Sequence, residues 1–285
     1  MKIEEEFLVL QDGAMRLTLA PQLGGAIREL TWSGKDVLRP APQDDCDDPF
    51  AMACFAMVPY VNRVAHGRFS FRGRAVQLRR NWSEDPHPLH GQGWRVPWYV
   101  LDATSVSATL GFEGGGDEWP WHYRSEQRFE LAPSGLTVEL SIENLSDTPM
   151  PAMLGLHPYF PTAARAQMHA RMPRVWLADR EALPTEEALT PPDWRFDPAR
   201  PVAAVPLDHC FSGWDGVASL RWPDRVVTLR APHCRHLHVY APAGREFFCI
   251  EPQTAAPGAL ARGEATVVAP AERFAISVNF AVGAA

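Results

Sequence analysis

Apolar and polar residues alternate with a period of two along much of the chain. Leu136, Val138, Leu140 and Ile142 interleave with Thr137, Glu139, Ser141 and Glu143, the pattern of a strand with one face in a core and the other in water. Similar patterns run through Met15, Leu17 and Leu19, through Val106, Ala108, Leu110 and Phe112, and through Phe274, Ile276, Val278 and Phe280. Each is bounded by the Gly, Pro, Asn or Ser residues that turns require. No segment shows an amphipathic helical period of comparable strength. Short strands punctuated by 27 prolines and 20 glycines predict an all-β protein, a large antiparallel β-sandwich. The Pro/Ala-rich stretch from Pro161 to Pro206 reads as long loops. With no internal repeat or low-complexity linker, residues 1–285 read as one domain, a length that all-β folds approach.

A chain of this length buries roughly three quarters of its unfolded surface, enough for a core without disulfide or metal staples. Its five cysteines, Cys46, Cys54, Cys210, Cys234 and Cys249, form no C-x-x-C pair, and their odd number points to a reducing compartment, the cytoplasm. Subtracting 34 acidic from 27 basic residues gives −7. No basic block stands out, so a nucleic acid is not an expected partner. The opening MKIEEEFLVLQDG lacks a signal-peptide pattern. The longest apolar run, Phe50 to Val58, is far shorter than the roughly 20 residues a spanning helix needs, so no membrane is expected.

Motif absences narrow the chemistry further. Lys2 and Lys35 are the only lysines, and neither sits where a desolvated Schiff-base amine is expected. There is no G-x-x-x-x-G-K-[ST], no G-x-G-x-x-G after a strand and no G-x-S-x-G, which argues against NTPase, dinucleotide-dependent and α/β-hydrolase functions.

Several segments carry chemistry-bearing side chains. Asn62-Arg63 follows a Pro-interrupted apolar segment and precedes Gly67-Arg68-Phe69. In His87-Pro88-Leu89-His90-Gly91-Gln92-Gly93-Trp94 the glycines allow close backbone approach to a ligand and the histidine offers a hydrogen bond. His157 in Gly155-Leu156-His157-Pro158-Tyr159-Phe160 is expected at the end of a strand, after Met150 to Leu154. Asp208 precedes His209 in a short apolar context. Glu251 emerges from Phe247-Phe248-Cys249-Ile250, a placement that suits an ion pair or a base of raised pKa. Cys234, His236, His238 and Tyr240 fall on one face of a predicted strand. The H-x-x-H of His87 and His90 lacks a nearby third ligand, and after His238 the residues Ala241-Pro242-Ala243-Gly244 stand where a glutamate ligand would be wanted, so no metal is expected.

In order along the chain, Asn62-Arg63 with Gly67-Arg68-Phe69, Leu89-His90-Gly91, His157-Pro158-Tyr159-Phe160, Asp208-His209 and Glu251-Pro252-Gln253-Thr254 resemble the aldose 1-epimerase (galactose mutarotase) family. The resemblance spans about Gly13 to Phe280 and is weakest over residues 162–206. It implies a β-sandwich of the galactose mutarotase type, a small-molecule sugar substrate and no cofactor. It also implies that Glu251 is the general base and His157 the general acid, while Arg63, His90 and Asp208 hold sugar hydroxyls. Leu156 and Pro158 flank the histidine where better-known members carry asparagine and often threonine. Two other functions fit parts of the same sequence. A hexose-6-phosphate 1-epimerase would need a basic cluster such as Arg68, Arg72, Arg74, Arg79 and Arg80. A non-catalytic carbohydrate-binding protein would stack sugars on Trp94, Trp119 or Trp121 but has no need of both His157 and Glu251.

Overall fold

The computed structural model describes residues 7–42, 48–161 and 165–285, leaving Lys2, Cys46 and Thr162 outside the described residues. Two antiparallel sheets dominate it. The larger runs in the order Leu8–Asp12, Met15–Ala20, Ala26–Trp32, Cys54–Met57, Gly155–Pro161, Phe247–Gln253, His236–Ala241, Leu207–Ser212, Arg174–Ala178 and Pro184–Leu189, with Lys35–Asp36 added beside Ala26–Trp32. The second runs Phe196–Pro201, Gln167–Ala170, Val217–Arg221, Val226–Arg230, Arg273–Gly283, Gly135–Asn144, Tyr123–Ala132, Ser107–Gly114 and Tyr99–Ala103.

The period-two reading holds through most of these strands, except that Ser141 is buried on the polar side and Val106 is exposed just before Ser107–Gly114. Leu136, Val138, Leu140 and Ile142 are fully buried and sit level with Phe280, Val278, Ile276 and Phe274 on the neighbouring strand. Between the sheets, Phe160 packs on Phe248 with ring centroids 5.5 Å apart and on Phe280 and Trp222 at 6.5 Å. Cys54, Cys210, Cys234 and Cys249 are free and buried. No helix among the described residues is long and apolar enough to cross a membrane.

Three local expectations need correction. The stretch from Pro161 to Pro206 holds four strands, Gln167–Ala170, Arg174–Ala178, Pro184–Leu189 and Phe196–Pro201. Pro184, Pro198 and Pro201 lie on outermost strands, where a missing N–H breaks no ladder, so prolines there signal edges rather than loops. His157 lies inside Gly155–Pro161, opposite Phe55, and not at a strand's end. Cys234 precedes the strand His236–Ala241 and is buried beside it, so it is no part of that strand's polar face.

Candidate active site

The chemistry gathers on the outer face of the larger sheet, and register explains how. The strand Gly155–Pro161 pairs with Phe247–Gln253 so that Gly155 meets Gln253 and Tyr159 meets Cys249, which brings His157 level with Glu251. On its other side Glu251 is level with His238, and His238 with Cys210. Phe55 lies opposite His157. Directly opposed residues of antiparallel strands point to the same face, so Phe55, His157, Glu251, His238 and Cys210 form one row across five strands. Tyr159, Cys249, Tyr240 and Asp208 form the next row. This also explains the nearly apolar sequence around Glu251. Phe248 and Ile250 point into the sandwich, Cys249 and Glu251 point to the outer face, and loops cover that face. Leu156 and Pro158 alternate with His157 toward the sandwich, so the departures from the family pattern beside His157 do not enter the row.

Over the two rows opens a cleft of about 550 Å³ whose lining includes Arg63, His90, His157, Asp208, His238 and Glu251. All five residues singled out in the sequence therefore converge. A second cleft of about 540 Å³ lies beside Met172, Phe196 and Gly213, and every ionisable residue lining it is exposed.

Glu251 is 2% exposed. Its Oε1 lies 3.2 Å from His157 Nε2, and its Oε2 accepts a hydrogen bond from Gln253 Nε2 at 3.1 Å. Burial pushes the Glu251 carboxyl up to about 7, against the opposing influences of the His238 charge, the Gln253 bond and Arg63. His157 is stacked between Phe55 and Tyr159, at 4.5 and 4.8 Å. Burial, helped by the positive charge of His238, pulls its imidazole down to about 3. The two groups thus hold a single proton between them over a wide range, and burial places it on the carboxyl in the free protein.

Arg63 and His90 are set by loop geometry. Asn62 and His90 both have positive φ, 56° and 55°. The Asn62 backbone N–H donates to His90 Nδ1 at 3.2 Å, while the His90 N–H donates to the Asn62 carbonyl at 3.1 Å. With Nδ1 accepting, the His90 proton sits on Nε2, and burial with the nearby His157, Arg63 and His238 holds the ring well below its ordinary pKa. Gly91 permits this loop: at φ +74° its missing Cβ would stand 2.2 Å from the Val58 carbonyl oxygen. Arg63 Nε donates to Asp85 Oδ2 at 2.7 Å. Asp208 Oδ1 accepts from His238 Nε2 at 2.9 Å. Burial would raise the Asp208 carboxyl, but the hydrogen bond and charge of His238 with Arg63 nearby outweigh it and hold it at about 2.

The other sequence candidates fall elsewhere. His87 is fully buried away from the cleft, accepting the His66 N–H at Nδ1, so it does not converge with His90. His236 Nδ1 pairs with Ser212 Oγ at 3.1 Å, apart from the His238 bond to Asp208. Arg68, Arg74 and Arg79 are occupied by Gln77, the Trp121 ring and Asp117. Neither they nor Arg72 and Arg80 line the cleft, whose arginines are Arg39, Arg63 and Arg245. Trp94, Trp119 and Trp121 are core residues, 0%, 0% and 3% exposed, leaving Trp82 as the tryptophan in the cleft wall. Among the described residues, His157, Cys249 and Glu251 bring potential ligand atoms within 4.8 Å of one another. Burial keeps the Cys249 thiol well above its ordinary pKa, which opposes the thiolate a metal would need, and we assign none of the three as a ligand. The sequence reading gave no role to Gln253 or Asp85, and it set His238 on a strand face without placing it at this site. A turn signal at Pro242-Ala243-Gly244 marks a hairpin that would have placed His238 near Glu251.

Comparison with known proteins identifies the family and the fold. The chain matches the aldose 1-epimerase family over residues 6–281. It is 31% identical over 278 residues to the uncharacterized protein YphB of Escherichia coli K12, covering 92% of this chain and 94% of that one. A solved structure of a candidate aldose 1-epimerase from Escherichia coli K12 superposes with a TM-score of 0.91 at 28% identity, covering 98% and 99% of the two chains. A galactose mutarotase-like protein from Clostridium acetobutylicum shares the fold, with a TM-score of 0.88 at 18% identity over 98% and 95%. The fold is that of the galactose mutarotase-like proteins, and the family is one of isomerase-type enzymes. This chain belongs to the aldose 1-epimerase family.

Proposed function

We propose that the protein is a single-domain, cofactor-independent aldose 1-epimerase that interconverts the α- and β-anomers of aldohexoses. The observation that carries this reading is the buried pair of Glu251 and His157, 3.2 Å apart at the floor of the cleft. Ring opening removes the proton from O1 and delivers one to the ring oxygen as the C1–O5 bond breaks, leaving an open-chain aldehyde. Rotation about C1–C2 followed by the reverse steps yields the other anomer. Of the two one-proton forms of the pair, the reactive one carries the proton on His157 with Glu251 ionised, so the proton Glu251 takes balances the one His157 gives, and closure restores both. In the free protein these groups lie against each other, Oε1 3.2 Å from Nε2; the hemiacetal would take the place of that contact. His90 Nε2–H, Arg63 and Asp208 project from the cleft wall as donors and acceptor for the remaining hydroxyls, orienting the sugar over the pair.

The reading is tested with chelator-treated protein and freshly dissolved α-D-glucose and α-D-galactose, followed by polarimetry and by magnetisation-exchange NMR on free and 6-phosphorylated aldoses. Equilibration well above the buffer rate supports it. Only the buffer rate across the whole panel refutes it.

A further inference from the structure

We propose that His238 is the positioning residue of this site. It orients Asp208 by a direct hydrogen bond and, from its place level with Glu251 on the adjacent strand, governs by its charge the proton that Glu251 and His157 share. The sequence offered His238 as half of an unconvincing metal pair, and the acid-base reading of the cleft leaves it without a task. Its surroundings supply one.

His238 is 7% exposed. On the Leu207–Ser212 strand it faces Asp208 and Cys210, and on the Phe247–Gln253 strand it faces Glu251, with Cys249 in the next row. From the loop above come Asn62 and Arg63, the latter bonded to Asp85; His90 and His157 line the same end of the cleft, and His209 on the Leu207–Ser212 strand feels the His238 charge. Its own strand adds His236, bonded to Ser212, and Tyr240. The Nε2–Asp208 contact of 2.9 Å is a full charge-assisted hydrogen bond. Asn62 Oδ1 accepts from the Arg63 N–H, which turns Nδ2 toward His238 Nδ1 at 3.4 Å. That distance exceeds the usual range for a hydrogen bond, so the stronger contact decides, and it favours the protonated ring. Burial opposes the cation, but Glu251 and Asp208 outweigh it and hold His238 well above its ordinary pKa.

Two consequences follow from one proton on His238. The Asp208 carboxylate is pinned by one oxygen, leaving the other for a sugar hydroxyl. The fixed positive charge also limits how far burial raises Glu251, and it lowers His157. Removing the charge while keeping the hydrogen bond therefore moves both members of the pair upward, whereas removing both also releases Asp208.

The inference rests on the epimerase reading for its kinetic arm but is measured directly as well. In His238→Gln, whose amide can still donate to Asp208, both limbs of the kcat/KM pH profile should shift to higher pH by roughly one unit, with KM near wild type. In His238→Leu the same shift should be joined by a rise in KM of roughly tenfold or more. Independently of turnover, carboxyl ¹³C NMR with Glu251 assigned by difference against Glu251→Gln should show the Glu251 titration move upward in His238→Gln, with circular dichroism reporting the fold. An unmoved Glu251 titration in folded His238→Gln, or a downward one, overturns the proposal even if the wild type is an active epimerase. Absence of turnover in the wild type would instead refute the epimerase reading and leave the NMR result to decide on His238.

Discussion

At the residue scale, the behaviour of the Glu251–His157 pair departs from what either side chain does in water. A free glutamate ionises first and a free histidine later, so the sequence alone predicts a bell-shaped kcat/KM with the acidic limb on Glu251 and the basic limb on His157. Burial reverses the order, with the carboxyl at about 7 and the imidazole at about 3. The one-proton state of the pair then prevails between those values. We predict that kcat/KM falls above about pH 7 as the pair loses its last proton at Glu251, and holds on the acid side until His157 gains a second. The pH profile of anomer exchange checks this; a basic limb beyond pH 9 would contradict the reversed order. Substitution tests the same pair. Glu251→Gln cannot accept the O1 proton and His157→Asn cannot act as the acid, so each should lose on the order of 10² to 10⁴ in kcat while remaining folded. Polarimetry on both variants reads this out, and near wild-type rates in folded Glu251→Gln would remove it from the mechanism.

At the element scale, the site depends on loops that a strand pattern does not describe. The segment from Leu89 to Gly93 crosses the Val58 backbone closely enough that Gln92 and Gly93 both donate to the Val58 carbonyl, and Gly91 has no room for a Cβ there. Gly91→Ala combines a positive φ with a backbone collision. It should cost about 1–3 kcal/mol of stability and raise KM through the displaced His90. Denaturant melts and initial rates test both effects; an alanine variant as stable as wild type would show the loop free to shift. Legibility differed from element to element. Leu136 to Ile142 and Phe274 to Phe280 were readable because one face is wet. The strand bearing Glu251 was readable only as apolar, because both its faces are covered. The strands between Pro161 and Pro206 were hidden because edge positions accept the prolines that ordinarily argue against a strand.

At the scale of the whole molecule, the sandwich acts as a rigid floor beneath the cleft. Phe160 follows the cleft residue Tyr159 but points the other way, into the inter-sheet core, where it meets Phe248, Phe280 and Trp222. Truncating it to alanine should cost about 3–5 kcal/mol. The expected outcome is a lower denaturant midpoint with the pH profile of the surviving folded protein unchanged, since no group in the cleft row loses a contact with it. A shifted profile would mean that the core and the site are coupled.

The alternation of side chains by itself determined that this is an all-β protein, because a period of two suits no other buried element. The ordered polar motifs, through their resemblance to the aldose 1-epimerase family, put forward Arg63, His90, His157, Asp208 and Glu251 as candidate site residues. Only the tertiary structure decided how those residues are arranged. The Glu251 row assembles from strands far apart in the chain, and its His238 partner follows from register rather than from any motif. The protonation order follows from burial and from the charges that neighbouring strands bring within reach. A pKa is a property of an environment, and that environment exists only once the strands are paired.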